Sequence, residues 1–432
     1  MCVGPLIELV GSVIRSYPSI FGNPVVDGLY LVVLVLVTVQ YHKIQSIEEK
    51  LYGTAKNKAF RNTLYAIGLG LVGGLFASLL LVIVGVSVSD SGIGYLFPLA
   101  LLLFLVSPRF VCYSYAGGLA GLSYLLFGWP KINVPSVMGL VACLHAAEAF
   151  LIRISGHSCS TPFYVSSKDG KVVGGFALQR FWPIPLIVLF LIQAPFLSDI
   201  QDLIYLPDWW PLIKTPGDLS TKDMTFAMMP VIAALGYGDI AVASNPKDKS
   251  ISTSKTLMLF SVVLLILSIM ASRWPLFAWV AALFSPIGHE LVIKKGLKQE
   301  FENPPIYVPP ERGAMVLDVV HGSPAEKSGI RTGDIIVMVD GREVNSRHDF
   351  SQSAESSESE SLVVTIERQG QDGQVETVHT DIRIVHGEPI GIIFVPEPGD
   401  EPMVSQYNEG IMVTFIKKML ANKQARSADT NQ

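Results

Sequence analysis

Five side chains able to move protons or bind metals interrupt long apolar runs in the first 300 residues: His145, Glu148, Asp239, His289 and Glu290. An ionisable group in a membrane span is costly and is a functional candidate by default. The segment His289-Glu290-Leu291-Val292-Ile293 begins with the H-E-x-x-H spacing, in which two histidines one helical turn apart hold zinc and the glutamate activates water. Position 293 is Ile, so the second ligand is missing and the sequence assigns no metal. Asp239 raises the possibility of carboxylate chemistry, which needs a second acid so that one carboxyl is neutral while the other is charged. Glu148 lies five residues before Arg153, Asp239 about one turn before Asn245-Pro246-Lys247, and Glu290 four residues before Lys294. All three acids therefore fall within about two helical turns of one membrane boundary, at ~1.5 Å per residue. The expectation is a polar cluster of His145, Glu148, Asp239, His289 and Glu290 whose members pair with one another or with nearby lysines.

The elements that must position these residues are membrane helices. Of the 432 residues, 50% are apolar and only 16% charged, against about 25% charged in ordinary globular chains. The apolar excess is confined to residues 1–300. Windows of sufficient length occur near 24–41, 63–88, 92–107, 109–128, 134–154, 181–197, 223–243, 256–272 and 274–293, which predicts a polytopic α-helical membrane domain of about eight to nine spans. Lys and Arg are more than threefold enriched in the loops on one side of this arrangement, and the bias alternates from loop to loop. By the positive-inside rule the chain after the last span is cytoplasmic. Residues 2–18 read as a short interfacial or re-entrant helix without a removable signal peptide. Trp209-Trp210, in the acidic outer loop 198–222, suits the headgroup level. Gly70-x-x-x-Gly74 and Gly117-x-x-x-Gly121 allow close helix packing within the bundle or in a homodimer.

The formal net charge of −5 provides no basic footprint for nucleic acid. Cys2, Cys112, Cys143 and Cys159 are scattered, with no disulfide framework or zinc knuckle, and His157-Ser158-Cys159 is too short to be a metal signature. No cofactor is expected.

From about residue 305 the pattern becomes that of a small α+β domain. Gly313–Val320 alternates as a strand. Ser323 is suited to cap a short helix, with Pro324 at its first position, Glu326 completing a capping box and Gly329 ending it. Ile335–Val339 is a strand leading into the Asp340-Gly341 hairpin signal. A second helix is expected over 347–357, then strands at 362–368 and 375–384. The Ser/Glu-rich run 351–361 reads as a solvated helix end and loop.

The run Gly322-Ser323-Pro324-Ala325 through Gly329-Ile330, with Gly333-Asp334-Ile335-Ile336 and Asp340-Gly341, resembles a bacterial PDZ domain over residues 305–396. The resemblance implies an antiparallel, partly open barrel with two helices that binds an extended peptide beside a strand–helix groove. The apolar-Gly-apolar loop of such domains is absent upstream, where Pro304–Pro310 stands, but Ile390-Gly391-Ile392 supplies a similar string at the far end. These three residues are the candidate peptide-binding segment. Residues 397–432 read as a tail with a basic amphipathic helix.

A multi-span domain of residues 1–300 joined through Ser285-Pro286-Ile287-Gly288-His289-Glu290 to one cytoplasmic PDZ domain resembles bacterial membrane proteins of the MinJ type. Those are cell-division topology factors linking a polar scaffold protein to the Min system. The resemblance implies a non-enzymatic plasma-membrane adaptor with a cytoplasmic or membrane protein as partner. Gly236-Tyr237-Gly238-Asp239 also resembles the G-x-G-D motif of intramembrane aspartyl proteases. The alternative is therefore an intramembrane peptidase using Asp239, or Glu290 with His289, and a PDZ domain that selects substrates.

Overall fold

The computed structural model describes residues 4–89, 91–193, 207–214, 224–357, 359–370, 374–384 and 388–403. The expected helix of the tail lies outside these residues.

The N-terminal part begins with α1 (Gly4–Ser16), α2 (Pro24–Tyr52), α3 (Ala59–Val84), α4 (Ile93–Val106), α5 (Tyr113–Phe127) and α6 (Val134–Ser155). A three-stranded antiparallel sheet follows, β1 (Ser160–Ser166), β2 (Val172–Gln193) and β3 (Met224–Ala241), and then α7 (Pro246–Ala271) and α8 (Pro275–Glu302). Among the described residues, α2, α3, α6, α7 and α8 are long and apolar enough to cross a membrane. At ~1.5 Å per residue, α4 and α5 fall short of a ~30 Å hydrocarbon core. They form a short helical pair broken at Pro108–Val111.

The windows 181–197 and 223–243, expected to be helical spans, contain strands instead. Residues 181–193 continue β2, and β3 pairs with it from Gln193↔Met224 to Phe176↔Ala241. Pro183 and Pro185 explain why. In a helix each would remove a hydrogen bond and clash with the preceding turn. In a strand, residues two apart lie on one edge, where a missing N–H is harmless if that edge has no partner strand.

β1 covers this edge of β2 only as far as Leu178. Beyond it, Tyr17 just after α1, together with α2, α3 and the chain after α3, satisfies the backbone. Tyr41 Oη accepts from Phe181 N at 3.1 Å and donates to Phe181 O at 3.0 Å. Pro185 O accepts from Tyr17 Oη at 2.9 Å, and Ser78 Oγ accepts from Ile187 N at 2.8 Å. Val88 N donates to Leu189 O, and Leu191 N donates to Ser89 Oγ. Non-helical backbone at membrane depth persists only when buried in protein in this way. The register runs forward along both elements, so β2 travels beside α3 along most of its length.

Gly70 and Gly74 make this approach possible. A Cβ on Gly70 would lie 2.0 Å from Pro183 O, and one on Gly74 2.1 Å from Pro185 O. The G-x-x-x-G spacing thus seats a strand on a helix. Gly117 and Gly121 do pack helices: Gly117 meets Val137 of α6 and Gly121 meets Ala282 of α8. Trp210, expected at the headgroups, is buried and donates through Nε1 to Val82 O and Ile83 O at the end of α3.

The C-terminal part comprises β4 (Ala314–Val319), α9 (Pro324–Lys327), β5 (Ile335–Val339), β6 (Arg342–Glu343), α10 (Arg347–Ser356), β7 (Ser361–Gln369), β8 (Val375–Arg383) and β9 (Ile392–Phe394). The strand order is β8-β7-β5-β4-β9, with β6 paired to β5. Ser323 Oγ accepts from Glu326 N, while the Glu326 carboxylate reaches back to Gly322 N at 2.6 Å. Gly329 takes φ +87°, and Asp340-Gly341 takes φ of 47° and 77°, the all-positive pair of a type I′ hairpin.

This domain packs on the end of the β1–β2 sheet that bears Tyr164 and Phe176. Gly174 N donates to Tyr307 O, and the Phe176 and Tyr307 rings meet edge to face at 5.2 Å. Leu317, Val320, Ile393 and Val395 join the core that contains Tyr164, Phe176 and Leu178. Lys56 pairs with the buried Asp318 at 2.6 Å.

Candidate functional site

Two constellations stand out, one inside the helical bundle and one between the domains. The first gathers side chains from three helices. At the α4–α5 break, Cys112 caps α5, and its Sγ accepts from Ser114 N. From α6, His145 Nε2 lies 3.1 Å from Cys112 Sγ, and from α8, His289 Nε2 lies 3.8 Å from the same sulfur. The two imidazoles are edge to face at 5.1 Å, with Phe260 and Tyr115 packed around them. His145 Nδ1 lies 2.8 Å from Val141 O. A carbonyl only accepts, so Nδ1 carries the proton and the Nε2 lone pair faces the sulfur. The helices are locked beside this point by Ser114 and Ser285, each of whose hydroxyls donates to the other's carbonyl at 2.7 and 2.9 Å.

The sequence expectation of one polar cluster divides into separate groups. His145 and His289 meet, and Glu148 lies on the same face of α6 three residues after His145. Glu290 turns away, accepting from Tyr115 Oη at 2.7 Å and facing Arg109 and Lys294 at 3.5 and 3.8 Å. Asp239 lies near the end of β3. It accepts from Thr253 Oγ1 at 2.6 Å and sits 3.3 Å from Lys249 Nζ.

Lys249 is nearly fully buried and also donates to Gly296 O, with Glu300 at 3.8 Å. Glu300 accepts from Val242 N, Ala243 N and Ser244 Oγ, fixing the exit of the hairpin on α8. Sequence alone points to neither residue: a Lys one turn into α7 and a Glu near the end of α8 look solvated in one dimension. Arg180, just before the apolar window 181–197, reads in sequence as a loop charge. It is fully buried, its guanidinium stacked between Tyr41 and Tyr65 at 5.6 and 5.1 Å.

Cys112 was missed as well. It is 33 residues from His145 and 177 from His289, so no local spacing reveals the group. Its only signal is a cysteine at a break between two apolar runs.

The second constellation is a cavity of about 410 Å³ between β9, α10 and the end of α2. Gly391 and Ile392, two of the three expected peptide-binding residues, line it with Pro389, Phe394 and Arg347. Ile390 instead packs toward the domain core, and its carbonyl accepts from Ala325 N. Gly391 takes φ +84°, and a Cβ there would lie 2.3 Å from Ser323 Cβ. Arg347 is tied to Asp400 by two hydrogen bonds of 2.6 and 3.0 Å, which hold it above the usual arginine value. The far wall comes from the membrane part, through Leu51, Tyr52, Thr54 and Tyr164, and Tyr164 Oη donates to Phe394 O at 2.9 Å.

A six-stranded antiparallel sheet with two helices and a strand–helix groove defines a PDZ domain, and residues 287–380 match the family described as PDZ domain. The match begins inside α8 and ends in β8, before the groove strand β9. The longer comparison reaches the membrane part: the chain is 23% identical over 277 residues to the cell division topological determinant MinJ of Bacillus subtilis. That alignment covers 64% of this chain and 64% of the relative. The chain therefore resembles a MinJ-type membrane protein carrying a PDZ domain.

Proposed function

We propose that this protein is a non-enzymatic integral-membrane adaptor whose PDZ domain, on the cytoplasmic side, holds a protein partner at the membrane during placement of the division site. The groove between β9 and α10 carries this reading, because Gly391 and Ile392 line an open cavity beside an edge strand, the geometry in which PDZ domains add a peptide strand. The cytoplasmic orientation is supported by the excess of Lys and Arg in the loops on the PDZ side. The likeness to MinJ supports the process. Asp239 facing Lys249 at 3.3 Å, and Glu290 facing Arg109 and Lys294 at 3.5 and 3.8 Å, support a structural role for both acids.

The test replaces the native gene with the full-length Ile392→Asp variant and with a chain lacking residues 305–396, at matched membrane levels. Both should misplace division sites to a similar degree. Normal placement with either chain would remove the proposal.

A further inference from the structure

We propose that Cys112, His145 and His289 form a binding site for one divalent transition-metal ion of the zinc class. Thiolate and imidazole are the donors that borderline-soft ions select over the oxygen-seeking magnesium and calcium. The three donor atoms all lie within 4.8 Å of one another. In a tetrahedral zinc site with Zn–S of about 2.3 Å and Zn–N of about 2.0–2.1 Å, donor separations come to roughly 3.3–3.6 Å. The sulfur–nitrogen distances of 3.1 and 3.8 Å straddle that range. Closing the remaining gap between the imidazoles takes a small rotation of His289, on the order of 1 Å.

Three further features fit a metal better than a chance meeting of core side chains. His145 is in the ligand tautomer, with Nδ1–H held by the Val141 carbonyl at 2.8 Å, the outer-shell arrangement that orients metal-binding histidines. Cys112 Sγ receives the Ser114 N–H at the N-terminus of α5, which holds the sulfur facing the two imidazoles. His289 Nδ1 is buried with no hydrogen-bond partner among the described residues, so no hydrogen bond at that nitrogen opposes the small rotation of the ring. On binding, the Cys112 thiol loses its proton to solvent, and sulfur and both Nε2 atoms donate their lone pairs to the ion. A fourth position is left for water. The ion would tie the α4–α5 break and α6 to α8, the helix that leads into the PDZ domain.

The test uses the full-length protein in detergent under a thiol reductant, stripped with a chelator and titrated with Co²⁺ as an optical stand-in for Zn²⁺. One equivalent should produce a thiolate-to-cobalt charge-transfer band with tetrahedral d–d bands, both bleached by one equivalent of Zn²⁺. Cys112→Ser should abolish the charge-transfer band. His145→Ala and His289→Ala should each weaken binding at least about tenfold, while the exposed His42→Ala leaves it unchanged. A second readout needs no variant: Zn²⁺, but not Mg²⁺, should slow maleimide alkylation of Cys112 in the unmodified protein. Absence of the band in the unmodified protein, its persistence in Cys112→Ser, or equal alkylation with and without Zn²⁺ would overturn the proposal.

Discussion

Ser78 Oγ accepts the backbone N–H of Ile187 at 2.8 Å, joining a membrane helix to a strand more than a hundred residues away. The same hydroxyl donates to Gly74 O at 2.6 Å, so one side chain satisfies two backbone groups at the α3–β2 seam. Ser78→Ala leaves the Ile187 N–H buried and unpaired, a loss of about 1–3 kcal/mol. Thermal unfolding in detergent should show a lower midpoint for Ser78→Ala than for the parent chain, with Ser78→Thr falling between them.

The glycines of α3 differ sharply in what they tolerate. Gly70→Ala and Gly74→Ala place a methyl about 2 Å from the Pro183 and Pro185 carbonyl oxygens, and neither backbone can move without unseating β2. Each should cost more than the ~4 kcal/mol that marks an exceptional single substitution and abolish recovery of folded protein. Gly68 faces open space. Gly68→Ala should be neutral or gain up to about 1 kcal/mol of helix propensity, as read by yield and monodispersity on size exclusion.

Lys249 holds two acids from different elements, Asp239 of β3 and Glu300 of α8. Lys249→Met would strand both carboxylates without their cation, and breaking a buried pair from one side costs about 3–5 kcal/mol. Lys249→Arg keeps the charge and should recover part of the loss. Hydrogen exchange at Val242 and Ala243, whose N–H groups Glu300 accepts, should rise first.

Docking of the PDZ domain rests in part on Lys56 and Asp318. Lys56→Glu sets two negative charges at this contact and should raise proteolytic cutting at residues 303–313, the connection from α8 to β4. Asp318→Lys in the same chain should restore protection in part, because Asp318 also accepts from Thr332 Oγ1 and Val319 N.

Two PDZ carboxylates make the domain acid-sensitive. The Gly322 N–H donated to Glu326 and the Asn345 N–H donated to Asp349 hold both carboxyls below their ordinary values. A carboxyl lowered by folding contributes stability above its unfolded pKa, near 4, and loses it as pH falls through the folded value. Urea midpoints for PDZ unfolding should therefore drop between pH 7 and pH 3. In Glu326→Gln with Asp349→Asn the drop should be smaller, starting from a lower midpoint at pH 7.

The PDZ domain was legible because its signals are local: Ser323, Pro324, Glu326 and Gly329 specify both ends of α9 within seven residues. The β2–β3 hairpin was not, because β2, largely buried, and β3, largely half-exposed, are both as continuously apolar as a membrane helix. Only the Pro183–Pro185 spacing distinguished them, and it carries meaning only once β1 is known to stop at Leu178. His145 and His289 were visible as intramembrane histidines, but their meeting, and Cys112 between them, depends on the crossing of α6 and α8 and on the break before α5.

Tyr164 and the end of α2 close one side of the β9–α10 groove, so its walls belong to two different parts of the chain. A peptide that gains contacts from both walls binds more tightly when they are together, and thermodynamic reciprocity then requires that it tighten their docking by the same factor. For a peptide held in this groove, capture and the seating of α2 would be two ends of one equilibrium: displacement of α2 would weaken capture, and capture would resist that displacement.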